Sequence, residues 1–432
     1  MRKLWTAVPA AIAVLTACTS APTTAPSGAA AGTASSGGTP SVSAMSSSTS
    51  ASTSNGASGV ASSSPNSGAT QTSTTSGTTG SGTLTHPART ATVALNGDLL
   101  WHNSTWWAAQ ADARREGLHG KDDYDFGPTL APLKPFLADA DLAICHNDIP
   151  VAPKGGPYYN YPAFSVPPQT VQALKPVGYD LCTTASNHML DQGFTGLVRT
   201  VDTLEANGLQ NAGAARTPAE ADAIPMFTTA GGVKIAVLSG TYGTNGIPLP
   251  SGKAWCLRLL DPVSVHVERA RKAKEQGADI VLAIMQAGDE YVLYPNAQQK
   301  NAAQALTASP DVDLVVNHHS HVVNPWTRIN GKWVIYGLGN TVSQQRNPEN
   351  FDGVLARLTF TEQTDGHFTA TRAEYVPTMT TRYSGGPIRV LPVVSTIASG
   401  GSPYASVATL RASLNRTETR VAALGASGLI ER

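Results

Sequence analysis

The sequence predicts an α/β domain with a largely parallel sheet, a second sheet stacked on it and a β-rich C-terminal part, carried on a disordered N-terminal tether. Three observations predict it. Between residues 92 and 316, short apolar runs alternate with longer amphipathic segments, the pattern of βα units over a buried parallel sheet. After His321 the pattern changes to strand-like runs joined by turn residues, with Asn330-Gly331 as a hairpin signal. From Thr19 to Ala88 there is no Asp, Glu, Lys or Arg. Every residue from 19 to 86 is Ser, Thr, Gly, Ala or Pro except Val42, Met45, Asn55, Val60, Asn66, Gln71, Leu84 and His86. Such a stretch buries too little apolar surface to offset chain entropy.

The N-terminus reads as an address. Arg2 and Lys3 precede the apolar stretch 4–14, a signal peptide too short to span a bilayer. It ends Leu15-Thr16-Ala17-Cys18, which resembles the bacterial lipobox, whose cysteine is lipidated. Residues 1–18 are therefore read as a lipoprotein signal, 19–86 as a flexible Ser/Thr/Gly/Ala-rich linker and 87–432 as the folded domain. A cysteine with more than one acyl chain anchors stably. The expected location is the outward face of a bacterial cell membrane.

In the folded part, residues 92–96 form a strand ending at Gly97-Asp98, and 130–139 a helix interrupted by Pro132 and Pro135. Residues 141–145 are a buried strand and 149–166 a Pro-, Gly- and Tyr-rich surface loop. A helix over 167–176 carries proline in its first turn, 179–184 is a strand, and the helix 194–207 is closed by Gly208. Strands over 233–239, 279–285 and 313–316 alternate with helices over 261–276 and 297–308, the former with Asp261-Pro262 as N-cap and first helical residue. Residues 322–339 and 353–376 read as antiparallel β, and 403–424 as a C-terminal helix.

The chain holds 30 Lys+Arg and 30 Asp+Glu, and all but Arg2 and Lys3 fall in residues 89–432. That balance argues against a nucleic-acid partner, which calls for a basic excess. Cys145 and Cys182 each lie near the end of an apolar run and pair only if those strands are neighbours. The plainer reading makes them, with Cys256, buried small hydrophobes.

In α/β sheets, sites form at the carboxyl ends of strands. Gly97-Asp98, His146-Asn147-Asp148, Ser186-Asn187-His188 and Asn317-His318-His319-Ser320-His321 all stand there. Carboxylate, amide oxygen and imidazole converging from separate segments suit a divalent cation. The histidines after Leu314-Val315-Val316 are the strongest signal, because three imidazoles in four residues need partners.

The strings ADLAICHNDIPV, LKPVGYDLCTTASNHMLDQGFTGLVRTVDTLEANGLQNAGAAR, QAGDEY and VDLVVNHHSHVVNPWTRINGKWVIYGLGN resemble the CapA-like poly-gamma-glutamate capsule synthesis family, from about residue 92 to 394. The resemblance implies a fold related to calcineurin-like metallophosphoesterases: a four-layer α/β/β/α sandwich in which divalent metal ions activate water. By similarity, Asp98 matches the family's first acidic ligand. Asp148 stands where the pattern, roughly Asn-Leu-Glu, has Glu. Asn187 and His188 end an Asn-Asn-His motif in which Ser186 replaces the first Asn. Asn187 would bind metal through its amide oxygen, and His188 would be the acid that protonates a leaving group. His319 and His321 match the last imidazoles of Gly-His-His-Pro-His, with Asn317 and Ser320 replacing Gly and Pro. Gln286 stands where the family has the His of His-Trp-Gly, while Gly288, Glu290 and Tyr291 fit. A neutral amide is a weaker transition-metal ligand than imidazole, so one of two cation positions is expected to be empty or to hold a harder ion.

The expected metal ligands are thus Asp98, Asp148, Asn187, His319 and His321, one or two divalent ions being held. His188 is the expected catalytic group, and His146, Gln286, Glu290 and His318 are expected to line the site. The implied function is capsule or envelope polymer biosynthesis by a surface-anchored protein, as a metal-dependent hydrolase of an anionic or amide-linked polymer. The alternative is a non-catalytic polymer-binding or scaffold subunit with a degenerate metal site, and a nucleotidase-like phosphoesterase is a third reading. Expected partners are an anionic envelope polymer or its precursor, the membrane through Cys18 and other capsule synthesis proteins. The loop residues Tyr158, Tyr159, Asn160, Tyr161 and Phe164 either contact ligand or cover the core edge. Arg328, Lys332 and Arg346 are candidates to meet polymer carboxylates.

Overall fold

The computed structural model describes residues 86–432. The signal sequence, Cys18 and the linker as far as residue 85 lie outside the described residues. Fifteen strands build two sheets. They are β1 (Thr90–Leu99), β2 (Leu142–Asn147), β3 (Leu181–Thr183), β4 (Gln210–Ala212), β5 (Met226–Thr228), β6 (Lys234–Thr241), β7 (Ile280–Gln286) and β8 (Leu314–His318). Then follow β9 (Trp326–Ile329), β10 (Lys332–Ile335), β11 (Asn340–Val342), β12 (Asp352–Glu362), β13 (Phe368–Thr380), β14 (Val390–Pro392) and β15 (Leu429–Glu431). The first sheet has the order β14-β13-β12-β1-β2-β3-β4, with β11 on β1 and β15 on β13. The second has the order β5-β6-β7-β8-β10-β9. In the second sheet a parallel centre is flanked by antiparallel strands on both sides, and in the first the parallel strands β1 to β4 run to one edge with antiparallel strands on the other side of β1.

Strand alternation assigns each residue its layer. Val93, Leu95, Ile144 and Leu181 of the first sheet meet Ile235, Val237, Leu282, Ile284, Leu314 and Val316 of the second in one core. Their neighbours Ala94, Ala143, Cys145 and Cys182 face away, toward Trp106, Leu130, Leu133, Leu174 and Leu204. On the other side, Val281, Ala283, Met285 and Val315 pack on Ala270, Ala273, Ala302, Ala303 and Leu306 of the helices Ser264–Glu275 and Ala297–Ala308. The layers are therefore helix, sheet, sheet, helix, as expected.

One local device sets the parallel register four times. Asp141, Asp180, Asp279 and Asp313 each stand directly before a strand, β2, β3, β7 and β8. Their carboxylates accept the backbone N–H of Thr92, Ala143, Lys234 and Val281 at 2.8, 3.0, 2.8 and 2.7 Å. The same four residues donate their own N–H to the carbonyls of those partners. A slip of one residue would break both bonds and turn the apolar face outward.

Several boundaries differ from expectation. The helix expected over 130–139 is a chain of single turns, Gly127–Leu130, Ala131–Leu133 and Lys134–Leu137, because Pro132 and Pro135 lack the N–H that would continue it. The helix expected from Asp261 starts at Ser264 with Val263 as N-cap, and the Asp261 carboxylate accepts from Gln298 instead of capping. The 149–166 segment is only partly a surface loop: Ile149, Val151, Phe164 and Val166 are buried, and Val151 bridges to Val166. The C-terminal helix is shorter, Val407–Val421. A helix that periodicity did not reveal, Asn103–Arg115, covers the first sheet with Trp106 and Ala109. Cys145 and Cys182 are register partners on β2 and β3 and form a disulfide, so of the two open readings the paired one holds; Cys256 is free and buried.

At the strand starts, Arg89 clamps the two sheets. Its guanidinium donates to Glu362 at the end of β12 at 2.9 and 3.0 Å, and to Asp279 before β7 at 3.0 Å. Hydrogen bonds from Arg89 hold the Glu362 carboxyl down from its ordinary 4.5 to about 2. A depressed acid contributes stability above its ordinary pKa and loses it as pH falls through the lowered value. Glu362→Gln is therefore expected to lower the melting temperature at neutral pH and to flatten its fall between pH 4.5 and about 2. Wild-type and variant melting curves that keep a constant offset across that range would show that the clamp does not carry the dependence.

Candidate functional site

The parallel strands of both sheets end at one rim, and there the chain changes from apolar to polar. Asp98 lies in the last turn of β1. Gly97 before it is required by space: a Cβ there would stand 2.1 Å from Gly339 O, where β1 leaves β12 and takes β11 as its neighbour. Asp98 N donates to that same carbonyl at 2.9 Å, so the glycine sets the aspartate.

The Asp98 carboxylate is buried between imidazoles. His318 Nδ1 is 2.8 Å from Oδ1 and His321 Nδ1 is 2.9 Å from Oδ2. Burial disfavours the Asp98 anion, but the His318 and His321 imidazoles facing its two oxygens outweigh it and hold the group well below the usual carboxylate range. Burial likewise disfavours charge on His321, yet Asp98 lifts it to about 9. Burial and neighbouring His321 push His319 down to about 4. His321 Nδ1 also faces Asn340 Oδ1 at 3.0 Å. The orientation of that amide is fixed, because Asn340 Nδ2 donates to the carbonyls of His321 and Asn350. Nδ1 therefore carries a proton, and Nε2 is the nitrogen free to hold a cation.

A second group of polar side chains adjoins the first. Asp148 Oδ1 accepts from Ser186 Oγ at 2.7 Å and from Gln286 Nε2 at 2.9 Å. Gln286 Nε2 also donates to Asn187 Oδ1 at 2.7 Å. Gln286 Oε1 accepts from Asn187 N at 2.9 Å and Thr241 Oγ1 at 2.6 Å. His146 packs flat on His318, with ring centres 4.2 Å apart, and bonds Thr183 Oγ1 through Nδ1. His188 Nδ1 bonds Asp191 Oδ2 at 2.8 Å, and its ring meets the edge of Phe164. Burial opposes charge on His188, but the Asp191 contact outweighs it and raises the pKa above the ordinary value.

Two features mark this rim as more than a polar cap. His319 (φ 91°), His321 (φ 55°), Tyr291 (φ 65°) and Asn245 (φ 51°) adopt left-handed backbone, which costs about 1–3 kcal/mol per side-chain-bearing residue and persists where packing enforces it. Buried polar atoms also lack hydrogen-bond partners: His146 Nε2, Asp148 Oδ2 and His319 Nδ1, while Asp98 Oδ2 meets only the His321 ion pair. Each atom left without a partner costs about 1–3 kcal/mol. Three of them are a large part of the net stability of a domain, about 5–15 kcal/mol. Ligand atoms of Asp98, Asp148 and His321 lie within 4.8 Å of one another, as do those of Glu290, His319 and His321, and of Asp98, His146 and His318. Carboxylate oxygens with imidazole nitrogens suit a divalent cation, and the Asp98, Asp148 and His321 group would offer one the bare Asp148 oxygen.

The structure brings together all ten residues singled out for the site: Asp98, His146, Asp148, Asn187, His188, Gln286, Glu290, His318, His319 and His321. Glu290 is the exposed member. Sequence reasoning missed Asn340, Thr241 and Asn245, which orient His321, Gln286 and Asn187. Asn245-Gly246 carries a turn signal that points to left-handed backbone. Two of the basic residues offered for a polymer are elsewhere. Arg328 stacks on Trp333, which pairs with Leu314 at the start of β8, and Lys332 bonds Ser309 O, so both lie at the strand starts, away from the rim. Of the loop aromatics, Phe164 is buried against His188 while Tyr161 is 71% exposed.

The family model described as "Bacterial capsule synthesis protein PGA_cap" matches residues 92–345, and the chain belongs to that family. It is similar to "PGA biosynthesis protein CapA" of Bacillus subtilis, 28% identical over 209 residues, which are 47% of this chain and 53% of the relative. It is also similar to "Capsule biosynthesis protein CapA" of Bacillus anthracis, 25% identical over 52% of this chain and 56% of the relative. A "Probable polyglutamine synthesis accessory protein" of Mycobacterium tuberculosis is 26% identical over 45% and 51%. The chain thus spans about half the length of the curated relatives it matches. Among solved structures, Haemophilus influenzae NAD nucleotidase aligns with TM-score 0.45 and 13% identity over 77% of this chain and 60% of that one. A 5'-nucleotidase precursor from Thermus thermophilus aligns with TM-score 0.43 and 12% identity over 77% and 59%. These are distant likenesses from which no activity follows.

Replacing Asp148 or His321 by Ala is expected to abolish retention of a divalent ion by the full-length chain through desalting, read by elemental mass spectrometry. Asn340→Ala, which frees the His321 ring without removing it, is expected to weaken retention about 10–100-fold. Unchanged metal content in all three variants would place the cation elsewhere.

Proposed function

We propose that this member of the capsule synthesis family acts in the synthesis or processing of poly-gamma-glutamate or a related envelope polymer, as a metal-dependent hydrolase. The observation that carries the reading is the set of bare, buried ligand atoms on Asp148, His146 and His319 around the Asp98–His321 ion pair, next to the His188–Asp191 pair. A divalent cation would be held by Asp98, Asp148 and His321, with His319 and Glu290 beside them, and would supply Lewis acidity there.

The chain's own residues supply the rest. Asp191 accepts from His188 Nδ1–H and keeps the ring charged toward higher pH, so His188 presents its other N–H as an acid for a departing group. Phe164 packs against that ring and donates its backbone N–H to Asp191, which fixes the pair. Asn340 and Asp98 hold His321, and Gln286 holds Asp148. The substrate class, an anionic or amide-linked polymer or its precursor, is taken from what the relatives are named for. Anchoring through lipidated Cys18, an outward-facing site at the bacterial membrane and contact with other capsule synthesis proteins complete the proposal, and rest on the sequence alone.

A second reading has one observation in its favour. The Gln286 amide fills the space between Asp148 and Asn187 with hydrogen bonds, as a site adapted to binding rather than turnover would. Cleavage of poly-gamma-glutamate by the full-length chain, followed by product size, separates the two. Hydrolysis lost on chelation, and reduced about 10²–10⁴-fold by His188→Ala, supports the enzyme. Polymer binding that survives chelation, with no cleavage under any metal, would leave the scaffold reading in its place.

A further inference from the structure

The two carboxylates of the rim are each divided. Asp98 Oδ1 accepts from His318, while Oδ2 makes no hydrogen bond and meets only the His321 ring, with Nδ1 at 2.9 Å, as an ion pair. Asp148 Oδ1 is filled by Ser186 Oγ–H and Gln286 N–H, while Oδ2 is bare. Beyond Asp148 Oδ1 stands a further oxygen, Asn187 Oδ1. Two oxygens converging in a buried place ordinarily call for a cation. Here the Nε2 of Gln286 stands between them, at 2.9 and 2.7 Å, giving one proton to each.

The orientation of that amide is fixed by backbone. Asn187 N–H points at Gln286 Oε1 from 2.9 Å, and Thr241 Oγ–H does so from 2.6 Å. A flip that turned Oε1 toward a cation would press the NH₂ against the Asn187 N–H, a donor with no alternative form. All four hydrogen bonds a glutamine side chain can make are made here, two given and two taken. A cation entering between Asp148 Oδ1 and Asn187 Oδ1 would expel this NH₂ and leave it buried and unpaired, a cost that precedes any gain from ligation.

We infer that this chain holds a single divalent cation, on the side of Asp98 Oδ2 and Asp148 Oδ2. The Gln286 carboxamide takes the place of a second cation and uses Asn187 as its hydrogen-bond partner rather than leaving it as a metal ligand. The inference rests on the proposed cation centre and adds its stoichiometry and the reason for it. The protein is built to polarise one group, not to clamp a substrate between two ions, and Gln286 holds Asp148 in position as a neutral tie.

The test is Mn²⁺ loading of the full-length chain. Bound manganese per chain is read after desalting by elemental mass spectrometry, and electron paramagnetic resonance shows whether ions are isolated or exchange-coupled. The expected wild-type result is one ion per chain with an uncoupled spectrum. Gln286→His removes the paired NH₂ and supplies an imidazole, and Gln286→Glu supplies a carboxylate of nearly the same shape. Each is expected to take up a second ion and to show exchange coupling. Two coupled ions in the wild type would overturn the inference while leaving the cation centre standing. So would folded variants, checked by circular dichroism, that still bind only one. No ion in the wild type would overturn the centre itself and this inference with it. The wild-type count decides even if a variant fails to fold.

Discussion

A buried carboxylate between two imidazoles is the constraint on which the rest of this structure depends. Asp98 sits with almost no solvent contact, and an anion there is tolerable only because His318 and His321 face its two oxygens. His318 ends β8 and Asp98 nearly ends β1, so the contact joins the two sheets at one rim. The left-handed turn at His319 and His321 swings the second imidazole back to the same carboxylate. Gly97 lets β1 approach Gly339 closely enough to set the carboxylate there. Arg89 closes the opposite end of the stack, joining Glu362 and Asp279. The polar rim is thus paid for by a sandwich whose interior is apolar from one sheet to the other.

Much of this was legible in the sequence, for identifiable reasons. The parallel strands were visible as apolar runs alternating with amphipathic segments, and Asp141, Asp279 and Asp313, directly before three of those runs, each bind a backbone N–H of the adjacent earlier strand. The rim residues stood out because polar clusters directly after buried strands have no packing role. What stayed hidden was set by tertiary context. The helix Asn103–Arg115 has Trp106 buried and Trp107 exposed, and adjacent tryptophans carry no clear period. Short strands such as β4 and β11 have only three residues each and owe their form to neighbours. Asn340 and Thr241 look like ordinary polar strand residues until the fold brings His321 and Gln286 against them.

The departures from the family pattern acquire a common cause in the geometry. Ser186, Asp148, Asn187 and Gln286 form one connected cluster in which every contact is a hydrogen bond between neutral groups or to one carboxylate oxygen. Changing one member leaves another unpaired, so the cluster is a coherent alternative to a metal-ligand set rather than a set of separate losses. The Cys145–Cys182 disulfide lies directly beneath it in the chain, preceding His146 and Thr183, which bond one another. It ties the two strands that present that part of the rim.

The most direct test of the account is the position of the cation, by anomalous diffraction from crystals of the protein loaded with Mn²⁺. The account predicts one anomalous peak bonded to Asp98, Asp148 and His321, with the Gln286 amide still paired to Asp148 and Asn187. A metal-loaded protein with no ordered peak at this rim, or with its peak away from these three residues, would contradict it.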